Sequence, residues 1–277
     1  ERLHRRKKFV HREHAMFNTV LHGDCLELMK DIPDKSIDMI LCDLPYGTTS
    51  CSWDRIIPFE LLWEQYERII KDYRAIVLFG SEPFSSYLRV SNITWFKYDW
   101  IWKKSRPGGF TNAKFKPLND HEIISVFSNG TTANCSKKLM YYTPLGIVKN
   151  IDKSRKNSNP DKTKNNNSFK RPSHQENFKL EYTNYPRKII EFGSAHMPVH
   201  PTQKPVELLE YLIRTYTLEG DVVLDNCAGS GSTGIACINT NRNYILMEKE
   251  KEYFDIINNR INESKNNLEK FFCLKNF

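Results

Sequence analysis

The sequence predicts an α/β protein built on a mostly parallel β-sheet with helices on both faces. Short apolar runs alternate with helical patterns on either side of a basic stretch that has no periodicity. Two of the apolar runs end in a carboxylate followed by a turn. The length of 277 residues suits one α/β domain with an insertion.

In the first half, short apolar runs predict buried strands over residues 19–21, 39–42, 75–79, 100–102 and 123–127. Apolar residues recur at helical spacing over 58–71, which predicts an amphipathic helix. Because strands alternate with helices, we expect most neighbouring strands to run parallel. Residues 102–110, rich in cations and glycine, are predicted to form a loop between two strands.

In the second half, residues 185–188 are predicted to lead back to the sheet edge, with α/β order following. Helices are predicted over 205–217, 232–239 and 251–269, and strands over 222–224 and 244–247. The predicted organisation is a basic arm or cloning remnant over 1–15, one half-domain over 16–130, a basic insertion over 131–185 and a second half-domain over 186–277.

The positive charge is concentrated in one region. The chain has 41 Lys or Arg against 33 Asp or Glu, a net charge of +8. Residues 131–190 alone hold 13 Lys or Arg and 4 Asp or Glu, so the rest of the chain is close to neutral. A local basic excess indicates a surface that binds a polyanion, or alternatively a solvated loop that is basic by accident.

Several classes of protein are disfavoured by composition. Seven cysteines, an odd number without a Cys-x-x-Cys pair, argue against a disulfide framework or zinc site and fit reduced thiols in the cytoplasm. Residues 119–122 have metal-ligating types at too tight a spacing, so we predict no metal and a structural role for His121. No apolar run is long enough to span a membrane, and the N-terminus does not resemble a secretory signal.

A glycine turn after a strand predicts a cofactor site. The strand over 222–224 is followed by Asp225, and the turn containing Gly229 and Gly231 enters a helix. The next strand ends at Glu248, whose carboxylate can accept both hydroxyls of a ribose. Such a crevice binds nucleotides in α/β sheets. A third glycine at the dinucleotide spacing is missing, which favours S-adenosylmethionine over a dinucleotide.

A second carboxylate follows the strand over 39–42. Asp43 could accept one proton of an exocyclic amino group of a base, and the backbone carbonyl of Leu44 the other. Pro45 stiffens the turn, and Tyr46 offers a ring for stacking on a flipped base. The alternative is an ordinary strand-end aspartate in a proline turn.

Four motifs in order resemble the β class of DNA amino-methyltransferases. Residues 43–46 resemble the family's Asp-Pro-Pro-Tyr motif, and residues 225–233 look like its S-adenosylmethionine motif. Residues 200–205 match its His-Pro-Thr-Gln-Lys-Pro signature, and 22–25 are similar to its Gly-Asp-Cys block. The resemblance implies a Rossmann-like methyltransferase sheet, circularly permuted, with an antiparallel edge and the basic segment as the target-recognition insertion.

The resemblance also implies roles for individual residues. The catalytic set is Asp43, Leu44, Pro45 and Tyr46. The residues expected to bind S-adenosylmethionine are Asp24, Cys25, Asp43, Thr202, Lys204, Asp225, Cys227, Gly229, Gly231, Ser232, Thr233 and Glu248, with Thr202 and Lys204 near the methionine carboxylate. The residues expected to contact DNA are Lys103, Lys104, Arg106, Lys149, Arg155, Lys156, Lys170, Arg171 and Arg187.

Adenine N6 is the expected target, because N4-cytosine members usually carry Ser where Asp43 stands. The alternatives are an N4-cytosine enzyme and a catalytically weakened DNA-binding relative. Leu44, Asn226 and Cys227 depart from the family pattern, which puts cofactor affinity in question. The expected partners are double-stranded DNA and a cognate restriction endonuclease, with the enzyme a monomer or homodimer in the cytoplasm of a bacterium, on the nucleoid.

Overall fold

The structure is a computed structural model that describes residues 17–48, 54–134, 136–150, 155–156, 177–178, 181–193 and 203–275. Its strands are β1 Thr19–His22, β2 Ile37–Cys42, β3 Ile70–Gly80, β4 Phe96–Gly108, β5 Asn119–Phe127, β6 Val148–Lys149, β7 Arg155–Lys156, β8 Asn177–Phe178, β9 Tyr182–Thr183, β10 Ile189–Phe192, β11 Val222–Asp225 and β12 Asn243–Glu248. Its α-helices are α1 Cys25–Leu28, α2 Phe59–Ile69, α3 Phe84–Ser91, α4 Val206–Tyr216, α5 Ser232–Asn239 and α6 Lys251–Lys275.

Eight strands form one mostly parallel sheet in the order β1-β12-β11-β2-β3-β5-β4-β10. This confirms the predicted sheet, with one difference in detail. The antiparallel strand is β5, which lies between β3 and β4, whereas the edge strand β10 runs parallel to β4. The amino-terminal end of β5 therefore lies where its parallel neighbours have their carboxyl ends.

Helices cover both faces of the sheet, as predicted. Met39 and Leu41 of β2 point into one apolar cluster, which contains residues of α4, α5 and α6. Ile40 and Cys42 point into the opposite cluster, with residues of α1, α2 and α3. All six residues of β2 are buried. This is why its sequence is nearly continuously apolar.

The strand order changes direction between β11 and β2. These strands are neighbours, but β11 continues through α5 to β12 on one side, and β2 continues through α2 to β3 on the other. Adjacent parallel strands whose connections diverge leave a crevice beyond their carboxyl ends, where α/β proteins bind ligands. Asp225 and Asp43 stand at the two sides of this crevice.

Several element boundaries differ from the sequence predictions. The helix predicted over 58–71 ends at Ile69, and β3 begins at the next residue. The loop predicted over 102–110 is wrong up to Gly108, because β4 continues to that residue against β5. The return to the sheet edge is confirmed by β10. Both α1 and α3 were absent from the predicted elements.

The chain divides into two compact units, residues 1–143 with 188–277 and residues 144–187. In the smaller unit, β6 pairs antiparallel with β9, and β7 with β8, where the sequence had indicated only loop. The predicted insertion over 131–185 has different limits from this unit and stays a prediction. In the described part of the chain, no helix is long and apolar enough to cross a membrane.

Candidate active site

A cavity of about 690 Å³ opens at the carboxyl ends of the parallel strands. Its wall combines the glycine turn after β11 with the residues that follow β2. The two motifs are separated by about 180 positions in the sequence, and the sheet brings them to one crevice. The volume lies in the range of cofactor sites.

Asp225 holds the glycine turn in place through two hydrogen bonds. Its carboxylate accepts hydrogen bonds from the hydroxyl of Thr233 at 2.6 Å and from the backbone N–H of Cys227 at 3.1 Å. Burial raises the pKa of Asp225 to about 6, and these hydrogen bonds act in the opposite direction. Asp225 and Thr233 therefore hold each other, and both line the cavity.

Gly231 is required by packing as well as by the turn. Its φ is +78°, in the left-handed region that favours glycine. A Cβ atom built on it would lie 2.9 Å from Cγ2 of Ile257 on α6. The sequence predicts a cofactor site at this turn, but at Gly231 the neighbouring helix α6 is the limiting contact. Arg260 of α6 also donates to the carbonyl of Ser230, so α6 supports the turn.

Glu248 is 8% exposed and lines the cavity. Its carboxylate oxygens accept the backbone N–H groups of Gly229 and Glu250, each at 2.8 Å. Burial raises the pKa of Glu248, opposed by those N–H groups. Each carboxylate oxygen has two lone pairs, so both keep capacity for a further donor such as a ribose hydroxyl. Asp24 caps α1 through the N–H of Leu26 and also lines the cavity.

Two of the three residues that depart from the family pattern, Asn226 and Cys227, have specific contacts here. Asn226 accepts a hydrogen bond from the hydroxyl of Tyr66 on α2 at 2.5 Å. The Cys227 sulfur lies 3.6 Å from the side-chain amide nitrogen of Asn226, and Cys25, Cys42 and Cys227 all line the cavity. Burial raises the pKa of the Cys42 thiol to about 12. This side of the cavity is therefore lined by neutral sulfur and amide groups.

Asp43 is held by two partners on the other side of the cavity. Its Oδ1 accepts the Tyr46 hydroxyl at 2.6 Å, and its Oδ2 lies 2.6 Å from the Lys204 ammonium. The centre of the Tyr46 ring lies 5.0 Å from that of Phe84, and burial raises the pKa of the Tyr46 hydroxyl well above the ordinary tyrosine value. The Leu44 side chain is 4% exposed and belongs to the core.

Lys204 connects Asp43 to a second carboxylate. Its ammonium is also 3.2 Å from Oε2 of Glu122, while Oε1 of Glu122 lies 2.6 Å from the ammonium of Lys104. Burial lowers the pKa of Lys204, but the charges of Asp43 and Glu122 outweigh it and raise that pKa. Likewise burial raises the pKa of Glu122, but Lys204 and Lys104 outweigh it and lower that pKa. Two cations and two carboxylates thus alternate along this wall.

The predicted site residues gather in the larger unit, with exceptions. Thr202, Lys170 and Arg171 lie outside the described residues, and Arg155 and Lys156 are described only as β7. Arg106 is exposed and lines the cavity, whereas Lys103 is exposed and paired with Glu191 at 2.9 Å. Lys149 and Arg187 are exposed in the smaller unit. Among the described residues, no group of His, Cys, Asp or Glu could hold a metal ion.

Two carboxylates near the cavity, Asp54, which is buried, and Glu122, which is half-buried, were not predicted from the sequence. Asp54 is 7% exposed and accepts the backbone N–H groups of Gly47 and Thr48 at 2.8 Å, fixing the loop after Tyr46. Glu122 lines the cavity while its neighbour His121 is exposed and bonded to Asp120. Successive residues of a strand face opposite sides of the sheet, so Glu122 lies on the same face as the buried Ile124. This alternation was the signal in the sequence that could have identified Glu122.

A family model described as DNA methylase matches residues 37–259 of the chain. The chain belongs to the DNA methylase family. The match spans both motifs that line the cavity as well as the basic region between them. The enzyme is therefore a DNA methyltransferase that uses S-adenosylmethionine.

Relatives and solved structures agree with this family. The chain is 30% identical to the type II methyltransferase M.HinfI of Haemophilus influenzae, over 90% of this chain and 70% of the relative. It is 26% identical to the type II methyltransferase M.HpaI of Haemophilus parainfluenzae, over 92% and 77%. The crystal structure of the M1.HpyAVI–SAM complex is similar, with a TM-score of 0.57, 25% identity and coverage of 88% of this chain and 98% of that one.

Proposed function

We propose that this methyltransferase methylates N6 of an adenine flipped out of double-stranded DNA. The observation that carries the proposal is that Asp43 and Tyr46 line the same cavity as the cofactor turn. The carboxylate at Asp43, where cytosine-N4 members of the resembled family usually have Ser, supports adenine as the target. An exocyclic amino group is a weak nucleophile because its lone pair is delocalised into the ring.

The residues after β2 supply what such a nucleophile needs. Asp43 accepts one amino proton and the Leu44 carbonyl accepts the other, which draws the nitrogen toward a tetrahedral geometry. The Tyr46 hydroxyl donates to Asp43, which orients the Tyr46 ring for stacking on the base. When bound, S-adenosylmethionine would supply an electrophilic methyl group, and the electron pair of the broken S–CH3 bond would remain on sulfur in the departing S-adenosylhomocysteine. Asp43 takes the proton that the nitrogen gives up as it forms the new N–C bond, and passes that proton to solvent.

The opposite side of the cavity fits the cofactor. Glu248 keeps acceptor capacity for ribose hydroxyls, and the glycine turn leaves backbone close to the cavity. Asp24 stands at the helix start beside Cys25, in position to accept from an adenine amino group. Asp225, Ser232 and Thr233 act by shaping the turn, because they are buried and Asp225 is bonded to Thr233.

The segment after β4 offers a surface for DNA. Residues 105–118 contain Arg106, Lys114 and Lys116 without an acidic residue. The same segment exposes Phe110 by 70% and Phe115 by 86%. Cations suit phosphates, and exposed aromatic rings suit stacking on unpaired bases. We therefore place this segment against the DNA beside the base pocket, with Lys149 and Arg187 of the smaller unit as further phosphate contacts.

Modified nucleosides in the DNA of an expressing host test the proposal. We expect N6-methyladenine in the host with the wild-type chain and its loss with Asp43→Ala, which should still bind S-adenosylmethionine in calorimetry. Asp31→Ala, a variant at an exposed position outside the cavity, is the matched control and should leave methylation intact. N4-methylcytosine instead would overturn the choice of adenine.

We also propose that the enzyme works in the cytoplasm beside a restriction endonuclease of the same site specificity. The support is the similarity to two type II methyltransferases. Sequencing the modified positions would define the site, and DNA carrying it should resist an endonuclease of that specificity. DNA that is methylated but still cut would contradict this pairing. Light scattering would distinguish a monomer from a homodimer.

A further inference from the structure

Each carboxylate oxygen of Asp43 already has a partner in the structure. Tyr46 donates to Oδ1, and the Lys204 ammonium lies against Oδ2. Lys204 is 7% exposed, so solvent cannot readily replace Asp43 as its partner. A base amino group that approaches Oδ2 therefore has to share that oxygen with a buried cation, which repels the partly positive amino protons unless the cation moves away.

Glu122 provides that place. Its Oε2 is buried and lies 3.2 Å from the Lys204 ammonium, a longer contact than the 2.6 Å between that ammonium and Asp43. A buried carboxylate oxygen that is weakly partnered is costly. A small movement of Lys204 toward Glu122 would shorten this contact and release Oδ2 of Asp43. Lys104 fixes the other oxygen of Glu122 at 2.6 Å, so Glu122 itself stays in place.

We propose that Lys204 moves from Asp43 to Glu122 when the target base binds, and that Glu122 is a positioning residue for methyl transfer. Glu122 and Lys104 act through Lys204 and touch neither the base nor the cofactor. This inference rests on the proposed function, because it assigns the group that prepares Asp43 to accept the amino protons. It also gives Lys204 a role on the base side of the cavity instead of the expected contact with the methionine carboxylate.

Removing a partner of Lys204, or Lys204 itself, makes the movement testable. If Lys204 cannot leave Asp43, we expect methyl transfer to be slow. If Lys204 is absent, Glu122 is no longer needed to draw it away. Cofactor affinity is a separate readout, because Glu248 and the glycine turn form the part of the cavity that fits the cofactor.

Glu122→Gln leaves Lys204 on Asp43, so kcat should fall by about ten- to a hundredfold, the range seen for misplaced catalytic groups. Adding Lys204→Met to that variant removes the cation from Asp43. The double variant should therefore methylate about threefold or more faster than Glu122→Gln alone.

The assay is single-turnover methylation of duplex DNA, with calorimetric affinity for S-adenosylmethionine measured on each variant. Glu210→Gln and Lys35→Met are matched controls, since both lose an ion-paired charge outside the cavity. Neither control should lower kcat, and cofactor affinity should stay within about twofold for every variant. If Glu122→Gln did not fold, Glu122→Asp, whose shorter side chain withdraws the carboxylate from Lys204, should show the same loss of kcat and the same recovery with Lys204→Met.

Two failures would be distinguishable. If the wild-type chain forms no N6-methyladenine, the proposed function is wrong. If the wild type methylates adenine but Glu122→Gln keeps its kcat, or Lys204→Met does not speed up Glu122→Gln, the function stands and the movement of Lys204 is wrong. A tenfold or greater loss of cofactor affinity in Glu122→Gln would also overturn it, because Glu122 would then serve the cofactor side.

Discussion

Asp225→Asn should stabilise the fold at alkaline pH, although Asp225 belongs to the cofactor motif. Asp225 is 4% exposed, and burial raises the pKa of its carboxyl group from about 3.8 to about 6. Between these values the folded protein holds a proton that the unfolded chain has released. The ionised carboxylate therefore opposes folding, by an amount that is small at pH 4 and complete above pH 6. A separation of about two pKa units corresponds to about 3 kcal/mol.

The substitution removes this cost together with one acceptor. The amide oxygen can accept from Thr233 or from the Cys227 N–H but not both, which costs about 1 kcal/mol at any pH. We expect the free energy of unfolding to rise by about 2 kcal/mol at pH 8 and to fall slightly at pH 4. Urea denaturation followed by circular dichroism would measure both. An equal difference between variant and wild type at the two pH values would refute the reasoning.

Thr233→Val is the matched control for this experiment. It removes the hydroxyl that donates to Asp225 at 2.6 Å but keeps the carboxylate. The free energy of unfolding at pH 8 should therefore fall, by about 1.5–3 kcal/mol for a hydrogen bond to a charged group. At pH 8 the change in the free energy of unfolding therefore has the opposite sign to that expected for Asp225→Asn. A general loosening of the turn cannot explain both results.

Three further changes follow from packing and exposure. Gly231→Ala should lower the free energy of unfolding by about 1–3 kcal/mol, because the new Cβ would lie 2.9 Å from Ile257. Urea denaturation would measure this, and an unchanged free energy of unfolding would mean that α6 shifts without cost. Tyr66→Phe should lower the thermal midpoint, since the carbonyl of buried Asn226 loses its donor at a cost of about 1–3 kcal/mol; an unchanged midpoint would contradict this contact. Phe115→Ala should weaken DNA binding by about 1–3 kcal/mol with cofactor affinity unchanged, and equal affinity in fluorescence anisotropy would remove the ring from the interface.

Much of the fold could be predicted from the sequence because its signals are local. The apolar run over 39–42 is nearly continuous because all of β2 is buried, and the turn at Gly229 and Gly231 follows its strand directly. The boundaries were less accurate. The loop predicted after Trp102 is strand, because its pairing with β5 outweighs the local preference of a Gly- and Pro-containing segment.

The site was predicted where chemistry and local sequence coincide. Asp43, Tyr46, Asp225 and Glu248 each stand at or just after the end of a strand, and each lines the cavity. Glu122 was not predicted because it lies in the first half of a strand and follows three polar residues that suggest a surface. Only the direction of that strand turns its beginning into part of the site.

The sequence by itself determined the family, the reaction class and the two motifs that face each other across the crevice. Their order along the chain and their strand-end carboxylates are properties of short segments, which need no knowledge of contacts. The tertiary structure decided which charges meet. Lys204 reaches Asp43 and Glu122 because the antiparallel β5 brings its first residues to the edge where β2 ends. Pairings between residues this far apart depend on strand order and direction, which no local pattern encodes.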